Sequence, residues 1–427
     1  MNPEVVIIGG GFAGTNLARI LQSHGVQCVI YSNDASASQM WAGTVDVINY
    51  REQDANEATS SLESERARLL HRLPRHPYAL LTGTAINTAL KDYFSVFPFL
   101  KASLSGNEFL NAPAITAFGT VKPCVGRWAS IFGDFERLTV DSRCLLIDFV
   151  EFNTSAMDLV KAGLESRFPG KYRTVQVNFR NILAKWDEKA APQTKIKLSL
   201  REIADAFERN QANLDCVEQE IRTAIELQAP EWQNTPIHFM FFPPVLGFLS
   251  FHAILERLNA SLQTECYETI ALSPSLMGTR LMGLHERECE RLKIPVFKGH
   301  TFTGIVARSD GWELTFHDKK NTPLQIVAPT VVFATGSLFG AGPLATDTSI
   351  QELFGNINIT IPNPLENSFQ LQSQKEKPAQ LYCCGSASYR FMGGLSDNEE
   401  IRYGTGLGLA ISSSWQTAQD ILKYHTK

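Results

Sequence analysis

The sequence predicts an α/β chain. Its frame is a Rossmann-like parallel sheet of the FAD/NAD(P)-binding type, discontinuous in sequence and interrupted by an inserted α+β domain. Three observations predict it. The chain opens on four apolar residues, Val5 to Ile8, that run directly into Gly9-Gly10-Gly11-Phe12-Ala13-Gly14. Far downstream, Val331-Val332-Phe333 ends in Ala334-Thr335-Gly336. Near the C-terminus, Gln380 to Cys384 ends in Gly385-Ser386, and Gly404-Thr405-Gly406-Leu407-Gly408 then opens an apolar helix.

The first run has no polar residue, as expected of a parallel strand buried on both faces. The glycines that follow spell G-x-G-x-x-G on Gly9, Gly11 and Gly14. Gly9 allows the tight turn, Gly11 lets a pyrophosphate approach the backbone, and Gly14 lets helix and strand pack closely. With Phe12 and Ala13 these residues form the start of a helix, Thr15 to His24, whose N-terminal N–H groups attract anions. Gly25 ends that helix, and Val26 to Tyr31 forms the second strand of a βαβ unit. The motif follows a strand and opens a helix, which is the context that gives it meaning. One part departs from the pattern. The second strand usually ends in an acid that binds the adenosine ribose, but Ser32 stands there, followed by Asn33 and Asp34. Asp34 is a substitute if the turn bends back; otherwise a ligand without adenosine, such as FMN, comes into view.

The downstream segment reads as hairpin strands, TFTGIVAR and WELTFH around Ser309-Asp310-Gly311, followed by the strand that ends at Ala334-Thr335-Gly336. This arrangement resembles the two-dinucleotide-binding-domain flavoproteins, in which that loop closes over the flavin. Gly385, Ser386, Gly404, Gly406 and Leu407 are the C-terminal candidates, because a glycine-rich loop opening a helix, here about Leu409 to Leu422, aims N–H groups at negative charge. These pieces sit at opposite ends of the chain. The expected division is a flavin-binding unit over 1–100 and 295–427, with an insertion over 101–294. Within the insertion, helical spacing predicts a helix over about Leu200 to Leu227. The apolar stretch Ile237 to Leu255 reads as a strand to Phe242, a turn at Pro243-Pro244 and a helix from about Leu246.

Composition narrows the function. The chain has 427 residues, enough for two to three domains, and a net charge of −5. No basic excess points to nucleic acid. The eight cysteines form no C-x-x-C pair, so neither a zinc ribbon nor an iron–sulfur cluster is expected. Their scatter suits buried, reduced thiols in a cytoplasmic protein, with Cys383-Cys384 ending a buried strand. The N-terminus lacks the basic region of a signal peptide, and no transmembrane segment is expected.

Several runs together resemble the B subunit of anaerobic glycerol-3-phosphate dehydrogenase. They include the glycine motif and SASQMWAGTVDVI (Ser36 to Ile48), where Gly43 and Asp46 fall on the family's Gly and Asp. His76-Pro77-Tyr78, Thr116 with Gly119-Thr120, and Asp148 to Phe152 also match. So do Pro274 to Arg280, Ala334 to Phe339, and the C-terminal Gly-Ser with its helix. The family likewise lacks the acid at Ser32. Tyr389-Arg390 and the acidic loop Ser396 to Glu400 depart from it. The resemblance adds Gly43 and Thr44 to the cofactor candidates and implies a flavin; FMN is the family assignment, while the glycine motif favours FAD. It also implies oxidation of sn-glycerol 3-phosphate to dihydroxyacetone phosphate. The implied partners are a catalytic flavoprotein, the A subunit of that enzyme, together with an iron–sulfur subunit that holds the pair peripherally at the inner face of the membrane.

Alcohol oxidation by hydride transfer needs a base for the hydroxyl proton and cations for the phosphate. His76 is the candidate base; Arg280 and Arg390 are the candidate anion-binding residues. Two other readings stay open. In one the chain carries flavin and electrons while the partner does the substrate chemistry. In the other it is a fumarate-reductase-like flavoenzyme acting on a dicarboxylate, since the same arginines suit carboxylates.

Overall fold

The computed structural model describes residues 3–33, 36–48, 61–152, 156–186, 197–270, 275–336, 359–360, 368–373, 380–388 and 406–425. In chain order, the elements that position the site begin with β1 (Val5–Ile8), α1 (Phe12–Ser23), β2 (Cys28–Ser32) and α2 (Gly83–Val96). The strands β3 (Arg143–Phe149), β4 (Lys171–Val177), β5 (Phe239–Phe242) and β6 (Glu265–Glu268) follow. Then come α3 (Leu276–Arg291), β7 (Val296–Lys298), β8 (Thr330–Phe333), β9 (Gln380–Cys383) and α4 (Leu407–His425).

The principal sheet runs β7-β2-β1-β8-β9 in parallel, with Gln370–Ser373 and then Ile359–Thr360 added antiparallel at one edge. β1 is central because every one of its side chains is apolar. Ile7 stands between Ile30 and Val332 in register. Alternation along the strand divides two cores. Val5 and Ile7 pack with Leu17, Ala18 and Leu21 of α1, whereas Val6 and Ile8 join the larger cluster on the other face. All four are 4% exposed or less, so each contributes about 1.5–3 kcal/mol. Strands from both ends of the chain thus make one sheet, as the Gly-rich strand ends suggested. The hairpin Thr301–Ala307 with Trp312–His317 also forms as read, and Pro323–Ala328 adds a third antiparallel strand.

The inserted segment mixes parallel and antiparallel pairing. It holds a parallel sheet in the order β4-β3-β5-β6 with helices between the strands, beside antiparallel pairs such as Ala112–Ile115 with Val121–Cys124. The boundary near residue 100 is bridged, because Thr44–Val45 and Leu100–Ala102 both pair with Gly126–Trp128. The expected helix over Leu200 to Leu227 is two helices, Leu200–Arg209 and Asp215–Gln228. The first is set by a Ser199–Glu202 capping box and ends at Asn210. After the Pro243-Pro244 turn the helix begins at Phe251, not Leu246. Gly247 takes a φ of +75°, and the Glu208 carboxylate accepts from the Phe248 and Ser250 amides, which holds the intervening residues in a loop.

The cysteines are free, and Cys383 and Cys384 are fully buried at the end of β9. Burial pushes the Cys384 thiol up to about 12, so it stays an inert thiol.

The insertion is tied to the helix that leads back to the principal sheet by a buried ion pair. Arg280 of α3 meets Glu268 of β6 at 2.6 and 3.0 Å, with both side chains 0% exposed. Ser130 Oγ and the Leu246 amide also donate to that carboxylate. Removing one partner of such a pair leaves a buried charge unmatched, at about 3–5 kcal/mol. Glu268→Gln is expected to lower unfolding free energy by about that amount, read as the shift of the urea midpoint at unchanged m.

Candidate functional site

The loop after β1 is shaped by how little room it has. At Gly14 a Cβ would overlap the Gly9 carbonyl oxygen, and at Gly9 it would overlap the Ala334 carbonyl. Gly9 also takes a φ of +119°, which only glycine adopts without strain. The Ala334 amide donates to Ile8 O at 2.8 Å, so the Ala-Thr-Gly run lies against the loop. Gly385, φ +64°, comes within 2.8 Å of Ala13 Cβ once a Cβ is placed on it. Its amide donates to Ser413 Oγ of α4 at 2.7 Å. The structure therefore brings together Gly9, Gly11, Phe12, Ala13, Gly14, Ala334, Thr335, Gly336 and Gly385, with Ser386 beside the last. Gly43 packs against Ile131 and Met277, and Thr44 Oγ1 accepts from Lys122 at 3.1 Å. The Gly408 amide donates to Asp46 O at 3.0 Å, which sets the start of α4, with Gly406 and Leu407, against that segment.

The glycines divide by what they face. Gly9, Gly14 and Gly385 touch backbone or side chain, whereas a Cβ on Gly336 or Gly406 meets none of the described residues within 4 Å. Thr335 Oγ1 is buried without a hydrogen-bond partner among the described residues. A buried hydroxyl without a partner among the described residues, next to the N-terminus of α1, fits a bound cofactor with phosphate and further polar groups. Gly11 faces Ser36 and Ser38, and the Phe12 amide donates to Ser38 Oγ at 3.0 Å. Ser32 lies beside Gly10 and Asn33 is exposed. Asp34, Arg390 and Gly404 lie outside the described residues.

Two expected catalytic residues have other work. Arg280 engages all five N–H donors inside the protein. Nε and one Nη2 proton go to Gly247 O, two bonds go to Glu268, and Nη1 also meets Met277 Sδ. It has no donor left for a substrate anion, and it does not cap α3, whose N-cap is Ser275. His76 is buried and caps the short helix Pro77–Leu80, its Nδ1 accepting from the Tyr78 amide at 3.2 Å. That contact occupies the Nδ1 lone pair, so His76 serves the chain as a helix cap.

Sequence reasoning missed a polar group on the other side of the loop. His285 of α3 bonds Thr15 Oγ1 at 2.8 Å and the Tyr93 hydroxyl at 2.7 Å. Desolvation, with Arg19 nearby, holds its pKa down at about 3. Arg19 itself pairs with Asp92 and donates to Asn16, which donates to Ser414. No local spacing marks these partners, which lie on four separate helices. Lys122 was also missed. Its ammonium bonds Asp46 at 2.6 Å and Thr44 at 3.1 Å, while the other Asp46 oxygen is buried without a partner among the described residues. Burial raises the Asp46 carboxyl, against the opposing pull of Lys122. Only the Asp46 match in the Ser36 to Ile48 run hinted at this pair.

Residues 4–346 match the family described as FAD binding domain. The B subunit of anaerobic glycerol-3-phosphate dehydrogenase from Haemophilus influenzae (strain PittEE) is 25% identical, over 82% of this chain and 79% of that protein. The same-named protein of Glaesserella parasuis serovar 5 (strain SH0165) is 23% identical, over 99% of this chain and 100% of that one. A solved flavoprotein/dehydrogenase from Cytophaga hutchinsonii shares 9% identity over 99% of this chain and 79% of that chain, at a TM-score of 0.34, too low for its details to be carried over. Among the described residues no helix is long and apolar enough to cross a membrane.

Two outcomes are expected. Gly14→Ala forces helix and loop apart, costing about 1–3 kcal/mol and losing bound flavin, read from the visible spectrum of purified protein. His285 is neutral in the fold but protonates near pH 6.5 when unfolded. Its contribution is therefore fully present above pH 6.5 and falls as pH drops toward 3, by up to about 1.4 kcal/mol per pH unit. Urea titrations across that range check it, with a flatter profile expected for His285→Gln.

Proposed function

The chain belongs to the FAD binding domain family, and from that membership we propose that it is the flavin dehydrogenase subunit of a glycerol-3-phosphate-oxidising complex. It would convert sn-glycerol 3-phosphate to dihydroxyacetone phosphate and send electrons toward quinone. The observation that carries this reading is the end-to-end likeness to the Glaesserella parasuis protein, 99% of one chain against 100% of the other. Membership of such a complex implies partners: a second, catalytic flavoprotein and a protein holding the iron–sulfur centre, with the assembly peripheral to the membrane.

The bound flavin supplies a two-electron acceptor. The chain's own residues do the rest. The α1 N-terminus and the Gly9 to Gly14 loop hold phosphate, and Thr335 Oγ1 offers a hydrogen bond to the cofactor. The start of α4 presents a positive dipole end. Lys122, held by Asp46 and Thr44 and 39% exposed, is the described cation at that end; Arg390 is the second anion-binding candidate. The flavin is FAD or FMN. Ser32 in place of the usual acid supports FMN, and the complete glycine motif supports FAD.

A second reading has its own support. Arg280 and His76 are both engaged by internal bonds, which favours a flavin- and electron-carrying subunit whose partner does the substrate chemistry. Anaerobic stopped-flow mixing separates the readings. Bleaching of the flavin near 450 nm by glycerol 3-phosphate with the chain alone is expected if it oxidises substrate itself. Bleaching only with the partner present establishes the second reading, and bleaching by succinate alone replaces both with a dicarboxylate enzyme. Mass spectrometry of the heat-released cofactor is expected to give FMN or FAD; a cofactor-free protein overturns every flavin reading.

A further inference from the structure

The Thr15 hydroxyl has one proton and three neighbours. It lies 2.9 Å from Gly11 O, 3.4 Å from Phe12 O and 2.8 Å from His285 Nδ1. Carbonyl oxygens only accept, so the hydroxyl proton goes to Gly11 O, the closer of the two. The 2.8 Å contact with the imidazole must then be filled by a proton on Nδ1. A neutral ring has one N–H, so Nε2 accepts, and the Tyr93 hydroxyl donates to it at 2.7 Å. Every proton in the chain from Tyr93 to Gly11 is thereby assigned. The surroundings keep the ring neutral: it is 2% exposed and packed between Phe12 at 5.2 Å and Phe97 at 4.5 Å. The charged groups on the packed helices, Arg19 and Asp92, are paired with each other.

We infer that His285 is a positioning residue for the phosphate loop, acting as the Nδ1–H tautomer through Thr15 to fix the carbonyl of Gly11. Gly11 O receives both the Thr15 amide, at 3.0 Å, and the Thr15 hydroxyl. Two donors from one residue hold that carbonyl along the helix axis, so its lone pairs are kept off the face where a phosphate would sit. The peptide at the middle glycine of the motif is thus oriented before any ligand arrives, which removes part of the ordering that binding would otherwise require. Tyr93 extends the clamp to α2, so three helices set one peptide plane. This inference rests on the flavin reading of the loop.

The test is titration of apo protein with FMN and, separately, FAD, for the wild type, Thr15→Val and Thr15→Ser. Circular dichroism and thermal melting of each apo protein confirm folding. Losing one preorganising hydrogen bond is expected to weaken binding by about tenfold in Thr15→Val. Thr15→Ser, which keeps the hydroxyl, is expected to stay close to wild type. Nitrogen-15 NMR of histidine-labelled protein gives a second readout. The signal absent from His285→Gln is expected to show the neutral Nδ1–H pattern, constant between pH 8 and pH 5, and to shift in Tyr93→Phe. Equal affinity of Thr15→Val and wild type overturns the inference. So does equal weakening in Thr15→Ser, or an Nε2–H or protonated ring. If wild type takes up neither flavin, the flavin reading itself fails and the inference falls with it; if wild type binds and the valine variant binds as well, only the inference falls.

Discussion

The contact on which the site depends is one between backbones: the Gly9 carbonyl against Gly14, with Ala334 on the other side of Gly9. No side-chain atom fits at either glycine, so β1, the first turn of α1 and the end of β8 share one volume. From that constraint the rest follows. α1 is held close enough to the sheet for Leu17, Ala18 and Leu21 to bury against Val5 and Ile7. Its N-terminus lies beside Ala334 and Thr335, whose Oγ1 has no partner among the described residues.

Behind that contact lies a polar layer that is unusual for its depth. Asn16, Arg19, Thr15, His285 and Ser414 are each 5% exposed or less, yet each has hydrogen-bond partners. Burying such groups is tolerable only when they are satisfied. Their satisfaction fixes which rotamers and tautomers the helices present to one another. An apolar layer would pack as well but would leave the helices freer to slide.

What the sequence disclosed divides along physical lines. Local signals were legible: glycines that need special φ, an apolar strand, a hairpin. Each depends on residues within a few positions of one another, and β1 and β8, far apart in sequence, pair in one sheet. Less legible were side-chain bonds that no spacing rule displays. Arg280 looked available because nothing near it marks Glu268 and Gly247 O as its acceptors. His76 looked like a base because its own following turn, which takes the Nδ1 lone pair, is a matter of backbone geometry. His285 went unnoticed for the converse reason, since its importance lies entirely in Thr15 and Tyr93. The strand order of the parallel sheet in the insertion could not be read from local spacing, because β3 pairs on both sides with strands that are themselves separated by three helices.

The register of the central strand has a consequence for biosynthesis. Val6 pairs with Val29 soon after it emerges, but its other neighbour is Val331. At roughly 5–20 residues per second, a ribosome leaves that edge of β1 without its partner for on the order of 15–60 s. Throughout that time an apolar strand with free backbone donors and acceptors is available to any other nascent chain. The fold therefore carries a kinetic hazard at its most buried strand, and co-translational protection of the N-terminal segment matters more here than in a protein whose sheet is assembled in chain order.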